Sequence, residues 1–201
     1  MKVEIKNSNK IIRVLSFMVF IAILSSCSEN YIPKPMGYFR LDLPEKKYVK
    51  FDSTFPYAFE YPAYAIINKK KEGYTEPFWI NIDFPRLRGT INVSYKEIKS
   101  REDLNRYINE SFEFASKHVQ KASSINDVIV RNDSAHVWGT IYNIDGIGAA
   151  STCQFYLTDS TNHFFRGALY FNARPNNDSL APVIDFVRKD ISHLIQTFRC
   201  K

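Results

Sequence analysis

Cys27 is the residue whose setting most directly implies chemistry. It follows Leu24-Ser25-Ser26 at the end of an apolar run that begins at Val14, and the head before that run carries Lys2, Lys6, Lys10 and Arg13 against Glu4 alone. The apolar run is about 11 residues, inside the ~7–15 of a signal-peptide core and short of the ~18–20 that span a bilayer. Other groupings do less. Ser151, Asp159 and His163 are the types of a nucleophilic triad, but nothing in the sequence positions the three or supplies an oxyanion hole. Gly146-Ile147-Gly148-Ala149-Ala150-Ser151 has the glycines of a phosphate loop, yet it joins two strands, with no helix N-terminus for the phosphates. The four histidines, His118, His136, His163 and His193, are scattered, and no paired-cysteine or His-Glu-x-x-His spacing occurs. The expectation is therefore no catalytic residue, no metal site and no cofactor.

Leu24-Ser25-Ser26-Cys27 resembles the bacterial lipobox, in which the cysteine is acylated and becomes the first residue of the mature chain. Each buried methylene adds roughly 0.8 kcal/mol and stable anchoring takes more than one chain, so such a protein sits on a membrane surface through its lipid. This divides the sequence into residues 1–26 as signal peptide, 27–50 as lipidated N-terminus and tether, and 51–201 as one domain. The tether has Pro33, Pro35 and Pro44 and no sustained period. Its Tyr38, Phe39, Leu41 and Leu43 are apolar enough to lie on the domain or on a partner.

The chain has 201 residues and a formal charge of +6, half of it from residues 1–26. The mature part is thus too weakly basic to argue for nucleic acid. With 12 Tyr, 16 Phe and 2 Trp, aromatic-rich strands are expected. Cys153 and Cys200 read as two separate thiols.

The elements follow from period and breakers. Tyr57–Tyr61 and Ala63–Asn68 read as strands about Pro62, and residues 69–73 as a solvated turn. Phe78–Asp83 and Thr90–Tyr95 form an antiparallel pair about a turn at Pro85–Gly89. Leu104, Tyr107, Ile108, Ser111, Ala115, His118, Val119 and Ala122 share one helical face, so Ser100 to about Lys121 is a helix capped by Ser100, with His118 on the inner stripe. Val128–Arg131 is a strand. Ala135–Phe171 is a three-stranded meander whose core face is Val137, Ile141, Cys153, Phe155, Leu157, Phe165, Leu169 and Phe171. The opposite face mixes Trp138, Tyr142, Tyr156 and Tyr170 with Thr140, Thr152, Gln154 and Arg166. It is either covered by the second helix or left as a partner surface. Asn176–Ser179 starts a final helix with Pro182 in its first turn and an apolar stripe through Val183, Phe186, Val187, Ile191, Leu194, Ile195 and Phe198. The fold class is α+β, an antiparallel meander with two main helices.

Asp52-Ser53-Thr54, Asp133-Ser134-Ala135, Asp159-Ser160-Thr161 and Asp178-Ser179-Leu180 recur at predicted turns, where Asp and Ser satisfy local amides. The pattern also resembles the O-glycosylation site of Bacteroidetes envelope proteins, with Ser53, Ser134, Ser160 and Ser179 as candidate acceptors.

Much of the mature sequence is similar to one family. Cys27-Ser28-Glu29-Asn30-Tyr31-Ile32-Pro33-Lys34-Pro35, Gly37-Tyr38-Phe39-Arg40, Asp42-Leu43-Pro44, Phe59-Glu60-Tyr61-Pro62, Trp79-Ile80-Asn81-Ile82, Val93-Ser94-Tyr95-Lys96 and the block from Gln154 to Asn172 resemble the gliding motility lipoproteins named GldD. Phe55 and Phe78 stand where cysteine is expected in some relatives, and Cys200 where an aromatic is expected. The resemblance implies a Bacteroidetes outer-membrane lipoprotein required for gliding and for type IX secretion, without enzymatic activity. Its partners would be the membrane, through the lipid, and other gliding or secretion lipoproteins, with no small-molecule substrate. Ser28 after the acylated cysteine fits outer-membrane sorting, and a single Glu29 in place of an acidic stretch fits a periplasm-facing domain. The order of elements resembles a PsbP-type α/β sandwich. The alternative is a ligand-binding or hydrolytic domain with a cleft between sheet and helix.

Overall fold

Large apolar side chains at every second position make the strands, and the strands order themselves by their hairpins. A computed structural model describes residues 12–13, 15–18, 41–69, 76–173 and 176–201. The chain divides into two compact units, Met1–Gly37 and Tyr38–Lys201. In the first, residues 12–13 and 15–18 are helical. Among the described residues no helix is long and apolar enough to cross a membrane. The rest of the expected signal peptide, Cys27 and residues 70–73 of the expected turn lie outside the described residues.

In the second unit the elements are β1 (Tyr48–Phe51), β2 (Tyr57–Pro62), β3 (Ile66–Lys69), β4 (Ile80–Phe84), β5 (Gly89–Glu97), α1 (Arg101–Ser116), β6 (Ser124–Asn132), β7 (Val137–Asp145), β8 (Ser151–Thr158), β9 (His163–Phe171), α2 (Asn177–Thr197) and β10 (Arg199–Cys200). Seven strands form one antiparallel sheet in the order β3-β4-β5-β9-β8-β7-β6, and β1-β2-β10 form a smaller one. The α+β class and the β7-β8-β9 meander are as the sequence predicts. The tether boundary drawn at residue 50 falls inside β1.

One face of the large sheet presents Ile80, Ile82, Phe84, Ile91, Val93, Tyr95, Val137, Cys153, Phe155, Leu157, Phe165 and Leu169. These pack with Tyr57 and Phe59 of β2 and with Val187, Ile191, Leu194 and Ile195 of α2. Burying each such side chain contributes ~1.5–3 kcal/mol, so this layer is the main source of stability. Gly167 pairs with Phe155 across β8 and β9. A Cβ there would lie 2.3 Å from the Phe155 ring, so the ring fills the place of the missing side chain.

The hairpins β4–β5 and β6–β7 are built alike. Each has one 3-10 turn, Pro85–Leu87 or Asp133–Ala135, then a left-handed residue, Arg88 at φ 52° or His136 at φ 50°. Ser100 caps α1 by accepting a bond from the Asp103 amide at 3.1 Å. The helix ends at Ser116, with turns to 121 in place of the predicted helical continuation. In α2 the start is held by its second-layer contacts. Asn176 makes no side-chain cap, and the buried Asn177 instead donates to the carbonyls of Gly146 (2.6 Å) and Ala149 (3.1 Å). Pro182 lies inside the helix, one turn later than expected.

Candidate functional site

Of the two readings left open for the aromatic face of the meander, cover by a helix holds at Tyr142 and Tyr156, which are buried. Tyr142 is 7% and Tyr156 9% exposed, packed with Tyr107 and Ala115 of α1 and with Ile98, Ile144 and Phe164. The cover is α1, whereas α2 lies on the opposite face. Tyr156 stacks on Phe164 at 5.4 Å and accepts a bond from Thr140 Oγ1 at 3.2 Å. Trp138 and Tyr170 are half-buried. Exposed apolar surface lies elsewhere, on the outer side of α1 and the turn after it (Phe112 59%, Phe114 41%, Val119 58%) and on β6 (Val128 48%, Ile129 80%). Phe114 lies over the Arg166 guanidinium at 4.4 Å, and Arg166 donates to Gln154 Oε1 at 2.8 Å.

A second polar centre joins the segment ahead of β1 to α2. Asp190 is 2% exposed. Its Oδ1 accepts from Lys46 Nζ at 2.5 Å and from the Tyr48 hydroxyl at 2.8 Å, and its Oδ2 accepts from the Tyr64 hydroxyl. Lys46 also donates to the Phe186 carbonyl at 3.0 Å and lies 3.8 Å above that ring. Tyr48 stacks on His193 at 3.6 Å, and His193 Nε2 meets Glu60 Oε2 at 2.8 Å. Burial, then the bond to Asp190, pushes the Tyr48 hydroxyl up to about 12, and the same causes raise Tyr64. A buried carboxylate with three donors is stable only while each donor stays. Of the expected tether contacts, Leu41 and Leu43 remain 44% and 37% exposed and Tyr38 and Phe39 lie outside the described residues; the residues that dock on the domain are Lys46 and Tyr48, which the sequence reading did not single out.

The imagined Ser151/Asp159/His163 grouping does not form. Ser151 is buried at the far end of β8 and donates to the Leu169 carbonyl at 3.0 Å. Asp159 and His163 do approach, at 3.9 Å, but the third member is Tyr95, whose hydroxyl shares a 2.6 Å hydrogen bond with His163 Nδ1. Asp159 is raised by burial and lowered more by the amides of His163, Thr161 and Asn162, and the net shift is downward. Burial, aided by Glu97, Cys200 and Asp159, pushes Tyr95 up to about 12. This group borders two shallow clefts of about 330 and 400 Å³ that share Phe78, Tyr95 and Glu97. Phe78 has φ 66°, an uncommon conformation for an aromatic residue, and its carbonyl accepts from the Tyr57 hydroxyl at 2.6 Å. Among the described residues no three metal-ligating side chains converge.

Cys153 and Cys200 are both free, and burial raises each thiol to about 12, which leaves them unreactive at neutral pH. Phe55 and Phe78 meet edge to face at 5.4 Å, so the two positions where relatives are expected to carry cysteine are neighbours here and are filled by rings. Of the candidate acceptors, Ser134, Ser160 and Ser179 are exposed and Ser53 is half-buried. Their surroundings are turn chemistry: Ser53 Oγ accepts from the Phe55 amide at 3.3 Å, Ser134 Oγ donates to Asn132 Oδ1 at 2.9 Å, and Asp159 Oδ1 accepts three successive amides.

A comparison with curated proteins finds no match. Among solved structures, cyanobacterial PsbP (CyanoP) from Synechocystis is similar at 14% identity, with 81% of this chain and 98% of that chain covered and a TM-score of 0.44. The family model described as gliding motility lipoprotein GldD matches residues 28–200. That match takes in both sheets, both helices and the Asp190 centre, and through it the chain belongs to the GldD family of gliding motility lipoproteins.

Proposed function

We propose that this lipoprotein is a non-catalytic assembly or stabilising component of the gliding and type IX secretion apparatus. In this reading Cys27 holds it to the outer membrane, the domain faces the periplasm, and the work is done by protein contact with other gliding or secretion lipoproteins. The observation that carries the reading is the exposed apolar side of α1 and of the turn after it. Phe112 and Val119 are 59% and 58% exposed, although that helix already has a buried stripe with Tyr107, Ser111 and Ala115. Apolar side chains kept outside a satisfied helix mark a surface awaiting a partner.

The test is complementation of a deletion strain. Phe112→Asp with Val119→Asp should leave the chain folded and lipidated yet abolish spreading and co-purification with envelope lipoproteins. Tyr95→Phe and His163→Ala should leave both intact. The opposite pattern, in which α1 tolerates the charges and the Tyr95–His163 pair does not tolerate loss, would overturn the reading in favour of chemistry at the clefts.

A further inference from the structure

β6 is the outer strand of the large sheet, and it has the features that edge strands normally avoid. It pairs with β7 over nine uninterrupted positions, Ser124 to Asn132, and carries no proline, lysine or bulge on that run. Its other side, among the described residues, has no strand. Ile129 at its centre is 80% exposed and Val128 48%. Such a strand is a template for a further strand.

We propose that the further strand is β6 of a second copy, paired antiparallel about Ile129. A two-fold axis normal to the sheet keeps each side chain on its own face only in registers where a residue pairs with itself. Centred on Ile129, Val128 meets Val130 of the second copy, Asp127 meets Arg131, and Asn126 meets Asn132, each twice by symmetry. Two opposite-charge pairs thus flank an apolar pair on one face, and two valine pairs sit on the other. Neighbouring symmetric registers lose this match. Centring on Val128 sets Ile125 against Arg131, centring on Val130 sets Asp127 against Asp133, and centring on Asp127 opposes like charges directly. Opposite charges across a strand pair favour it and like charges oppose it. Arg131 already holds Asp133 at 2.9 Å, with the two side chains 74% and 61% exposed. An ion pair so exposed is weak, and the guanidinium has donors to spare for Asp127 of the second copy. Lipid anchoring puts copies on one surface, where effective concentration makes a weak contact sufficient. The α1 variants above change no residue of β6, and the test below reads only strand pairing, so the two ideas fail separately.

Directly opposed residues in an antiparallel pair have Cα atoms ~4.5–5.5 Å apart, within the ~4.4–6.8 Å of a disulfide. The full lipidated chain carrying Ile129→Cys, oxidised in native membranes, should give a disulfide-linked dimer. Val128→Cys alone should not, whereas Val128→Cys co-expressed with Val130→Cys should. Asp127→Arg should weaken detergent-solubilised dimer at least tenfold, and Asp127→Arg with Arg131→Asp should restore it to within about threefold. No Ile129→Cys dimer, a Val128→Cys dimer of equal yield, or cross-linking of Ile129→Cys to a different protein alone would each overturn the proposal. Because Ile129 is exposed, loss of folding is not an expected outcome, and thermal unfolding of each variant checks it.

Discussion

The two long helices lie on opposite faces of one sheet and are used differently. α2 buries Asn177, Val183, Ile184, Val187, Asp190, Ile191, Leu194 and Ile195, and Arg188 adds bonds to the Asp145 carboxylate and the Thr152 carbonyl, both at 2.8 Å. α1 buries Tyr107, Ser111 and Ala115 and keeps phenylalanines outside. Comparable amphipathicity therefore yields one helix that holds the domain together and one that rests on it. The lesson is that periodicity tells which side of a helix is covered, while the number and size of the covered residues tell what the helix contributes.

The sharpest way to break this comparison is at Asp190. Asp190→Ala leaves Lys46 and two tyrosine hydroxyls without their acceptor. Removing one partner from a buried pair costs roughly 3–5 kcal/mol, read as a fall in Tm of roughly 6–20 °C for a domain of this size. Calorimetry that shows the same stability as wild type would mean α2 is not the structural helix. On the other side, Ser100→Ala should cost about 1 kcal/mol. Hydrogen exchange should speed about fivefold in α1 and be unchanged in α2; acceleration in both would show that the helices open as one unit. The smallest effect concerns His118, just beyond α1, whose pKa burial lowers from 6.5. A lowered folded value means the unfolded state takes the proton first. The contribution of neutral His118 is therefore complete above about 6.5 and is lost as pH falls through the lower folded value. Protection of the α1 C-terminal end should decline over that window, and His118→Gln should flatten the decline.

The core side of the meander was legible because Cys153, Phe155 and Leu157, and Phe165 and Leu169 about Gly167, fall at alternate positions as Val137 begins to do, and alternation on a pleated strand is a statement about faces. The cover over Tyr142 and Tyr156 was harder. The stripe of α1 needed a face and the aromatic face needed a cover, but nothing local says that they match. β6 extends from Ser124 rather than Val128, because among its apolar residues only Ile125 and Val130 pack against the two cores, too few to show the alternation that reveals other strands. Least legible was the Asp190 centre. Lys46 and Asp190 are 144 residues apart in sequence, and one of two adjacent lysines after a proline carries no sign of its acceptor. The Tyr95–His163 pair, 68 residues apart, displaced Ser151 for the same reason: the register of β5 on β9 sets Tyr95 opposite Phe165, and only pairing reveals that.

The Asp190 centre also determines how the domain would bear a pull. A load travelling along the chain from the N-terminal side reaches Lys46 and Tyr48 before the rest of β1. β1 is held to β2 by the short ladder from Tyr48–Pro62 to Phe51–Phe59, which on its own would peel from the Tyr48 end one rung at a time. With Lys46 and Tyr48 fastened to a carboxylate on α2, the load passes instead into the longest helix among the described residues and so into the core of the large sheet. For a protein whose family serves movement over surfaces, this makes a buried ion pair the mooring point of the domain.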